Sequence, residues 1–228
     1  LVLVTNGSIT ESSNHGDQHT AARPTDNPGA SWTLWKNLAA QSPDFGHPDV
    51  FCEDLPARSW KISATGTLTN NEIEPYLERI CQRGIHSGRI VTGGPTTIVD
   101  SNWLITFTIS RQPHFKQQSD DENVIWLYGL YSDTDGNYVK KPITECTGEE
   151  IAREFLYHLG VPESKIARMV SQSCNMIPTY MPYVNSYFMA RRNGDRPAVV
   201  PAGSVNLAFI GNFSESPTRD TVFTTEYS

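Results

Sequence analysis

A chain of 228 residues, 38% hydrophobic and 19% charged, is long enough to bury a substantial core as one large domain or two small ones. Its net charge of −7 removes the electrostatic case for nucleic acid as a general partner, and no apolar run approaches the roughly 18 residues that a membrane-spanning helix requires. The four cysteines, Cys52, Cys81, Cys146 and Cys174, lie far apart with no C-x-x-C pair, which argues against zinc or dithiol chemistry and for reduced cytosolic thiols.

In chain order, residues 1 to 5 form a short apolar run that reads as a buried strand meeting a turn at Asn6-Gly7-Ser8. Residues 11 to 30 are polar and read as a long loop, a feature that in compact domains usually serves as a lid or binding segment. Ser31 is placed to cap a helix over "WTLWKNLAAQ", with Trp32, Leu34, Trp35 and Leu38 available for packing. A strand is predicted over residues 59 to 68, and a helix over 72 to 83 with Pro75 in its first turn. "GRIVTGGPTTIV", "NWLITFTIS" and "NVIWLYGLYS" are rich in β-branched and aromatic residues. Such consecutive strands with short connections pair antiparallel as neighbours. "TGEEIAREFLYHLG" is the clearest helix: Thr147 and Glu150 make a capping box, Gly160 is a stop, and His158 suits the C-terminal dipole. "SVNLAFIG" reads as a final buried strand, followed by Gly211, a polar loop and a helix start near Asp220. The expected class is α/β, an α+β mixture with a mixed sheet. Because it opens inside a strand and closes on a helix start, the chain reads as a piece of a longer protein.

Three stretches suggest ligand chemistry. The strand, Gly211, loop and helix start have the layout of a nucleotide-binding crevice, where free N–H groups gather around Asp220, Thr221, Val222, Thr224 and Thr225. An ordinary strand-to-helix turn with Asp220 as its cap has the same spacing. In "TFTISRQPHF", Thr106, Thr108 and Ser110 share one strand face, with Arg111, Gln112 and His114 following. Hydroxyls with a His and an Arg suit a carboxylate, although a half-exposed Thr-rich sheet face fits the pattern as well. In "MIPTYMPYVNSYFM", Tyr180, Tyr183 and Tyr187 recur at helical spacing beside Met181, Val184 and Phe188. That stripe suits either the wall of an apolar channel or plain core packing. His15 and His19 lie in the polar loop without a supporting carboxylate set, so no metal site is indicated. The chain contains no G-x-S-x-G, Walker or G-x-G-x-x-G motif.

Taken together, "LVTNGSITESS", "SWTLWKNLAAQSP", "VTGGPTTIVDSNWL", "RQPHF", "NYVKKPITECTGEEI", "YHLGVP", "GDRPAVVPAGS" and "GNFSESPTRDTVFTTEYS" resemble the FAD-dependent oleate hydratases, also called myosin-cross-reactive antigens. The resemblance runs in order over nearly the whole chain. It implies addition of water to the cis-9 double bond of oleate to give 10-hydroxystearate, with FAD required but no net redox change. It also implies a fold like that of the flavin-dependent amine oxidases, with a dinucleotide-binding domain interleaved with a substrate domain. Residues 1–10 would end one FAD-domain segment, 11–200 would form the fatty-acid domain, and 201–228 would return to the FAD domain. The family's Thr-x-Asn-x-x-x-His carboxylate pattern falls on Thr108, Ser110 and His114, with Ser110 in place of Asn. The FAD contacts implied are Asn6, Ser8, Asp220, Thr221, Val222, Thr224 and Ser228. The dinucleotide fingerprint and the acidic residue and tyrosine of catalysis match positions before Leu1, so this piece is not expected to hydrate alone. Partners implied are a long-chain unsaturated fatty acid and a second copy in a homodimer. The expected location is cytoplasmic, with peripheral membrane contact an open option. An amine-oxidase-type flavin oxidoreductase and a non-catalytic lipid-binding module are the alternatives, and "RQPHF" and "YHLGVP" favour the hydratase.

Overall fold

A computed structural model of the chain describes residues 1–25, 29–53, 61–87 and 94–215. The chain divides into two compact units. The first comprises Leu1–Ser13, Thr25–Trp60 and Met181–Ser228, and the second comprises Asn14–Pro24 and Lys61–Tyr180.

In the first unit, β1 (Val2–Thr5) pairs in parallel with β8 (Leu207–Ile210), from Val2 opposite Leu207 to Thr5 opposite Ile210. The apolar run at 1 to 5 is a strand, as its composition requires, but it is not buried: Val2 is 52% and Leu3 56% exposed. β8 buries Phe209 fully and its other residues partly. Parallel strands are ordinarily covered on both faces. An apolar run sets the preference for a strand but does not supply the neighbour that covers it. Helix α1 (Gly29–Ala39) starts two residues before the expected cap, so Ser31 lies inside it. The cap comes from Glu11, whose carboxylate accepts the Ala30 N–H (2.7 Å) and the Ser31 hydroxyl. That residue lies too far back in sequence for a spacing rule to find. The core of this unit is aromatic. Trp32 stacks on Trp35 (5.9 Å) and packs against Tyr183 (5.2 Å) and Phe213 (5.0 Å), and Trp35 stacks on Phe51 of the short helix α2 (Asp49–Cys52). The buried Arg196 guanidinium lies over Phe51 and Phe213, 5.5 and 5.9 Å from the ring centres, and donates to the Tyr187 carbonyl at 2.9 Å.

The second unit is built on β2 (Asn14–His15), β3 (Ile62–Thr69), β4 (Thr96–Thr97), β5 (Ile105–Thr108), β6 (Glu122–Gly129) and β7 (Cys174–Tyr180), in the order β2-β7-β3-β6-β5-β4. Every pairing is antiparallel. The α/β class is as expected, but the two pairing directions of the expected mixed sheet are held in separate sheets, parallel in the first unit and antiparallel in the second. "NWLITFTIS" and "NVIWLYGLYS" are neighbours, as expected, through β5 and β6. Residues 88–93 of the third stretch lie outside the described residues.

Alternation decides the two faces of this sheet. Ile62, Ala64, Leu68, Ile105, Phe107, Ile125, Leu127 and Met176 are buried in one core with Leu77 of α3 (Glu74–Cys81), Ile151 and Phe155 of α4 (Gly148–His158), and Ile166 and Met169 of α5 (Glu163–Gln172). A Cβ on Gly66 of β3 would sit 2.5 Å from Met176 Sδ, so any larger residue there requires the Met176 side chain to shift. The α4 capping box forms as the sequence indicates: Glu150 N–H donates to Thr147 Oγ1 (3.4 Å), and Thr147 N–H to Glu150 Oε2 (2.9 Å). The polar loop contributes β2 and Gln18, whose amide donates to the Val170 and Cys174 carbonyls and accepts the Met176 N–H.

The tyrosine stripe is not helical. Residues 174 to 180 form β7 and Ser186–Phe188 a single 3₁₀ turn, because Pro178 and Pro182 each lack an N–H and push the preceding residue out of the helical region. Tyr180 is buried in the core of the second unit, and Tyr183 in the aromatic cluster of the first. Plain core packing is the reading that holds for both. No helix among the described residues is long and apolar enough to cross a membrane.

Candidate functional site

Each unit presents one candidate site. In the first, parallel pairing sends the turns after β1 and β8 out at the same end, the position where ligands bind in parallel sheets. Asn6 is buried, and its Nδ2 donates to the Phe213 carbonyl at 3.2 Å, tying the two turns together. Its Oδ1 is also buried and has no hydrogen-bond partner among the described residues. Gly7 has φ +64°, and a Cβ there would lie 2.9 Å from Phe213 Cδ2 and Trp32 Cζ3. Both the backbone and the packing therefore demand glycine. The Ser8 hydroxyl accepts the Thr10 N–H (3.3 Å), closing a small turn, and the Ser214 hydroxyl donates to the Gly211 carbonyl (3.0 Å). Asn6 and Ser8 thus share one turn. Asp220, Thr221, Val222, Thr224 and Ser228 lie outside the described residues.

In the second unit, the candidate site is the sheet face opposite the helices. Two cross-strand rows occupy its centre. Thr106, Tyr128, Ser63 and Thr179 form one, and Thr108, Trp126, Thr65 and Ile177 the other. None of the eight belongs to the hydrophobic core. Ser63 and Thr106 are buried, whereas Ile177 is 40% exposed. The Trp126 and Tyr128 rings lie 4.8 Å apart, and the Thr97 and Thr106 hydroxyls are 2.9 Å apart at one edge. At the other edge, His15 Nδ1 is 3.0 Å from the Thr179 hydroxyl. The aromatic pair was not singled out from sequence, although its signal is visible as i, i+2 aromatics on a strand whose alternate residues are aliphatic.

Thr108 closes β5 and faces this surface, half-buried, with the half-buried Ser110 two residues on. His114 stands further along on an exposed loop. Its backbone N–H donates to Gln118 Oε1 (2.8 Å), and its ring meets the Phe115 ring edge-on at 4.7 Å. No hydrogen bond joins Thr108, Ser110 and His114 to one another among the described residues. Thr108 is the last residue of β5, and Ser110 and His114 both lie in the segment that follows it. Gln112, a candidate donor by sequence, is buried and fully engaged. Its Nε2 donates to the Ser110 and Val124 carbonyls (2.8 and 3.2 Å), and its Oε1 accepts the Val124 N–H (3.0 Å) and Gln118 Nε2 (2.6 Å). Its role is to stitch the segment after β5 to β6. The thiols offer no nucleophile: burial pushes Cys52 up to about 11 and both Cys146 and Cys174 up to about 12.

The chain is thus a two-unit α/β protein, with a carboxyl-end turn pair on parallel strands in one unit and an open antiparallel sheet face in the other. The family model described as "MCRA family" matches residues 1–228, and the chain belongs to that family. It is 63% identical over 229 residues to an oleate hydratase of Streptococcus pyogenes serotype M49 (strain NZ131), an alignment covering 100% of this chain and 39% of the relative. It is 35% identical over 226 residues to a linoleate hydratase of Lactiplantibacillus plantarum, covering 95% of this chain and 40% of the relative. The chain therefore spans about two fifths of the length of these curated relatives.

Proposed function

We propose that the protein containing this chain is a fatty-acid hydratase that adds water to the cis-9 double bond of oleate, giving 10-hydroxystearate with FAD bound and no net redox change. The observation that carries this reading is the 63% identity, over the whole chain, to a relative named oleate hydratase. The first unit, which contains the expected FAD-domain segments 1–10 and 201–228 and also takes in 25–60 and 181–200 of the expected fatty-acid domain, is read as part of the dinucleotide-binding domain of an amine-oxidase-like fold, and the second as substrate domain. The groups that move protons in catalysis are assigned to the rest of the longer protein. A homodimer in the cytoplasm, with peripheral membrane contact, completes the reading.

FAD fits the first unit on one specific ground. The buried Asn6 Oδ1 is an acceptor without a protein partner among the described residues. Such an atom calls for an outside donor, and flavin and adenine rings both carry N–H groups. Asn6 and Ser8 would hold the cofactor from the β1 turn, and Asp220, Thr221, Val222, Thr224 and Ser228 from the chain beyond β8. When bound, FAD supplies an organised wall to the site and takes no net electrons.

The fatty-acid carboxylate is assigned to Thr108, Ser110 and His114. Burying an unpaired carboxylate costs several kcal/mol, so an apolar acyl site needs donors at one end. A charge-assisted hydrogen bond contributes roughly 1.5–3 kcal/mol. His114→Ala in the full-length protein should therefore raise KM for oleate about ten- to a hundredfold, with kcat changing less. An unchanged KM with a collapsed kcat would move His114 into the catalytic centre, and no change in either would remove it from the site.

A further inference from the structure

The row Thr108, Trp126, Thr65, Ile177 crosses four adjacent strands in register on the open sheet face. Strands lie about 4.8 Å apart, so the row runs about 14 Å from the hydroxyl that ends β5 to the isoleucine of β7. Its middle is an indole flanked by two threonines, and its far end is an aliphatic side chain left 40% exposed. Neither this row nor the neighbouring one of Thr106, Tyr128, Ser63 and Thr179 carries a formal charge. Among the described residues, charged side chains and imidazoles appear only around them. Arg111 and His114 follow the end of β5, His15 stands beside Thr179, and Glu122 is four residues along β6 from Trp126. A water-facing sheet surface normally alternates polar and charged groups with the core. This one instead offers an uncharged, partly apolar track whose β5 end is basic, which complements a long amphiphile with an anionic head.

We propose that the acyl chain of the fatty acid lies along this row, its carboxylate at the Thr108 end and its hydrocarbon over Trp126, Thr65 and Ile177, so that these three residues set chain-length preference. The inference rests on the hydratase reading and deepens it. Thr108 is common to the carboxylate site and the row, which makes the track continuous with that site. Trp126 supplies a broad apolar ring, Thr65 a low point between strands, and Ile177 the surface met by the distal carbons. A short-chain acid would reach Trp126 but not Ile177.

The test uses the full-length protein. Ile177→Ala removes the distal contact and Thr65→Trp fills the low point. Thr65 and Ile177 are both solvent-exposed, so neither change disturbs the core. Each should weaken oleate binding about tenfold while changing binding of hexanoate, too short to pass Trp126, less than about twofold. His114→Ala should weaken both acids alike. Dibromostearate, whose bromines quench indole by contact, should remove part of the tryptophan emission of the wild type, and this component should be missing in Trp126→Phe. Equal losses for oleate and hexanoate, no loss for either, or the same quenching amplitude in Trp126→Phe would overturn the inference while wild-type hydration of oleate continues. A wild type that neither binds nor hydrates oleate would instead remove the hydratase reading.

Discussion

Glu154 offers the sharpest test of how the second unit holds its shape. It sits on α4 with 0% exposure. Its Oε1 accepts the Asn137 N–H at 2.7 Å, and its Oε2 those of Tyr138 and Val139 at 2.9 and 2.8 Å. His158 Nε2, one helical turn on, lies 3.2 Å from Oε1. Burial by itself raises the pKa of this carboxyl. The His158 contact and the three backbone donors outweigh it and hold the group below its ordinary value. In Glu154→Gln, one oxygen becomes an NH₂ donor facing a backbone N–H, and the bonds that survive lose their charge. With charged hydrogen bonds contributing roughly 1.5–3 kcal/mol and a buried orphan costing about 1–3, the variant should lose about 2–4 kcal/mol. For a chain of this size that is a fall in Tm of about 5–15 °C, followed by circular dichroism. The amides of Asn137, Tyr138 and Val139 should exchange faster with deuterium. The sign with pH also follows. A carboxyl whose pKa is depressed on folding stabilises fully above its unfolded value, about 4.3, and the contribution is lost as pH falls through the lower folded value. Wild-type stability should decline over that acid window more steeply than that of Glu154→Gln. An unchanged Tm with unchanged exchange at all three amides would refute the reasoning.

The turn after β1 and the cap of α4 give two further predictions. Gly7→Ala meets a positive φ and two aromatic rings 2.9 Å from the new methyl. It should cost about 1–3 kcal/mol in thermal or urea unfolding and lower flavin content in the full-length protein. Flavin content and stability both equal to wild type would mean that the turn is not tight. Thr147→Ala removes half of the capping box and should cost about 1 kcal/mol, or about 2–4 °C in Tm, while Thr147→Ser should restore most of it. A serine variant as unstable as alanine would assign the loss to the methyl group rather than to the cap.

What the sequence revealed was local. The α4 box is legible because Thr147 and Glu150 stand three residues apart, and β5 and β6 because β-branched and aromatic residues alternate between turn residues. What it hid was set by groups distant along the chain. Glu11 caps α1 from the preceding loop, Glu154 gathers the N–H groups of 137 to 139, and Gln112 binds the β5 extension to β6. No spacing rule reaches these contacts, because the donors meet only after the sheet has formed. β1 shows the same limit in its burial, since its only partner among the described residues is β8, about 200 residues away. The tyrosine stripe misled for a different reason: Tyr180, Tyr183 and Tyr187 fit a helical period, but Pro178 and Pro182 veto the helix that the period requires. The strand face with Thr106 and Thr108 was legible by alternation, but β5 ends at Thr108, so Ser110 and His114 lie beyond the strand on which spacing placed the hydroxyls. The row from Thr108 to Ile177 needed the register of four strands.

The central claim is that the longer protein adds water to an unsaturated fatty acid with its flavin unreduced at the end of the cycle. The most direct measurement is to incubate the full-length, FAD-loaded protein with oleate in ¹⁸O-labelled water without oxygen, and to follow product mass and flavin absorbance together. The account predicts a hydroxystearate whose new oxygen is ¹⁸O, with the flavin spectrum the same before and after turnover. A product formed only with oxygen present, an oxidised product accompanied by bleached flavin, or oleate recovered unchanged would contradict it.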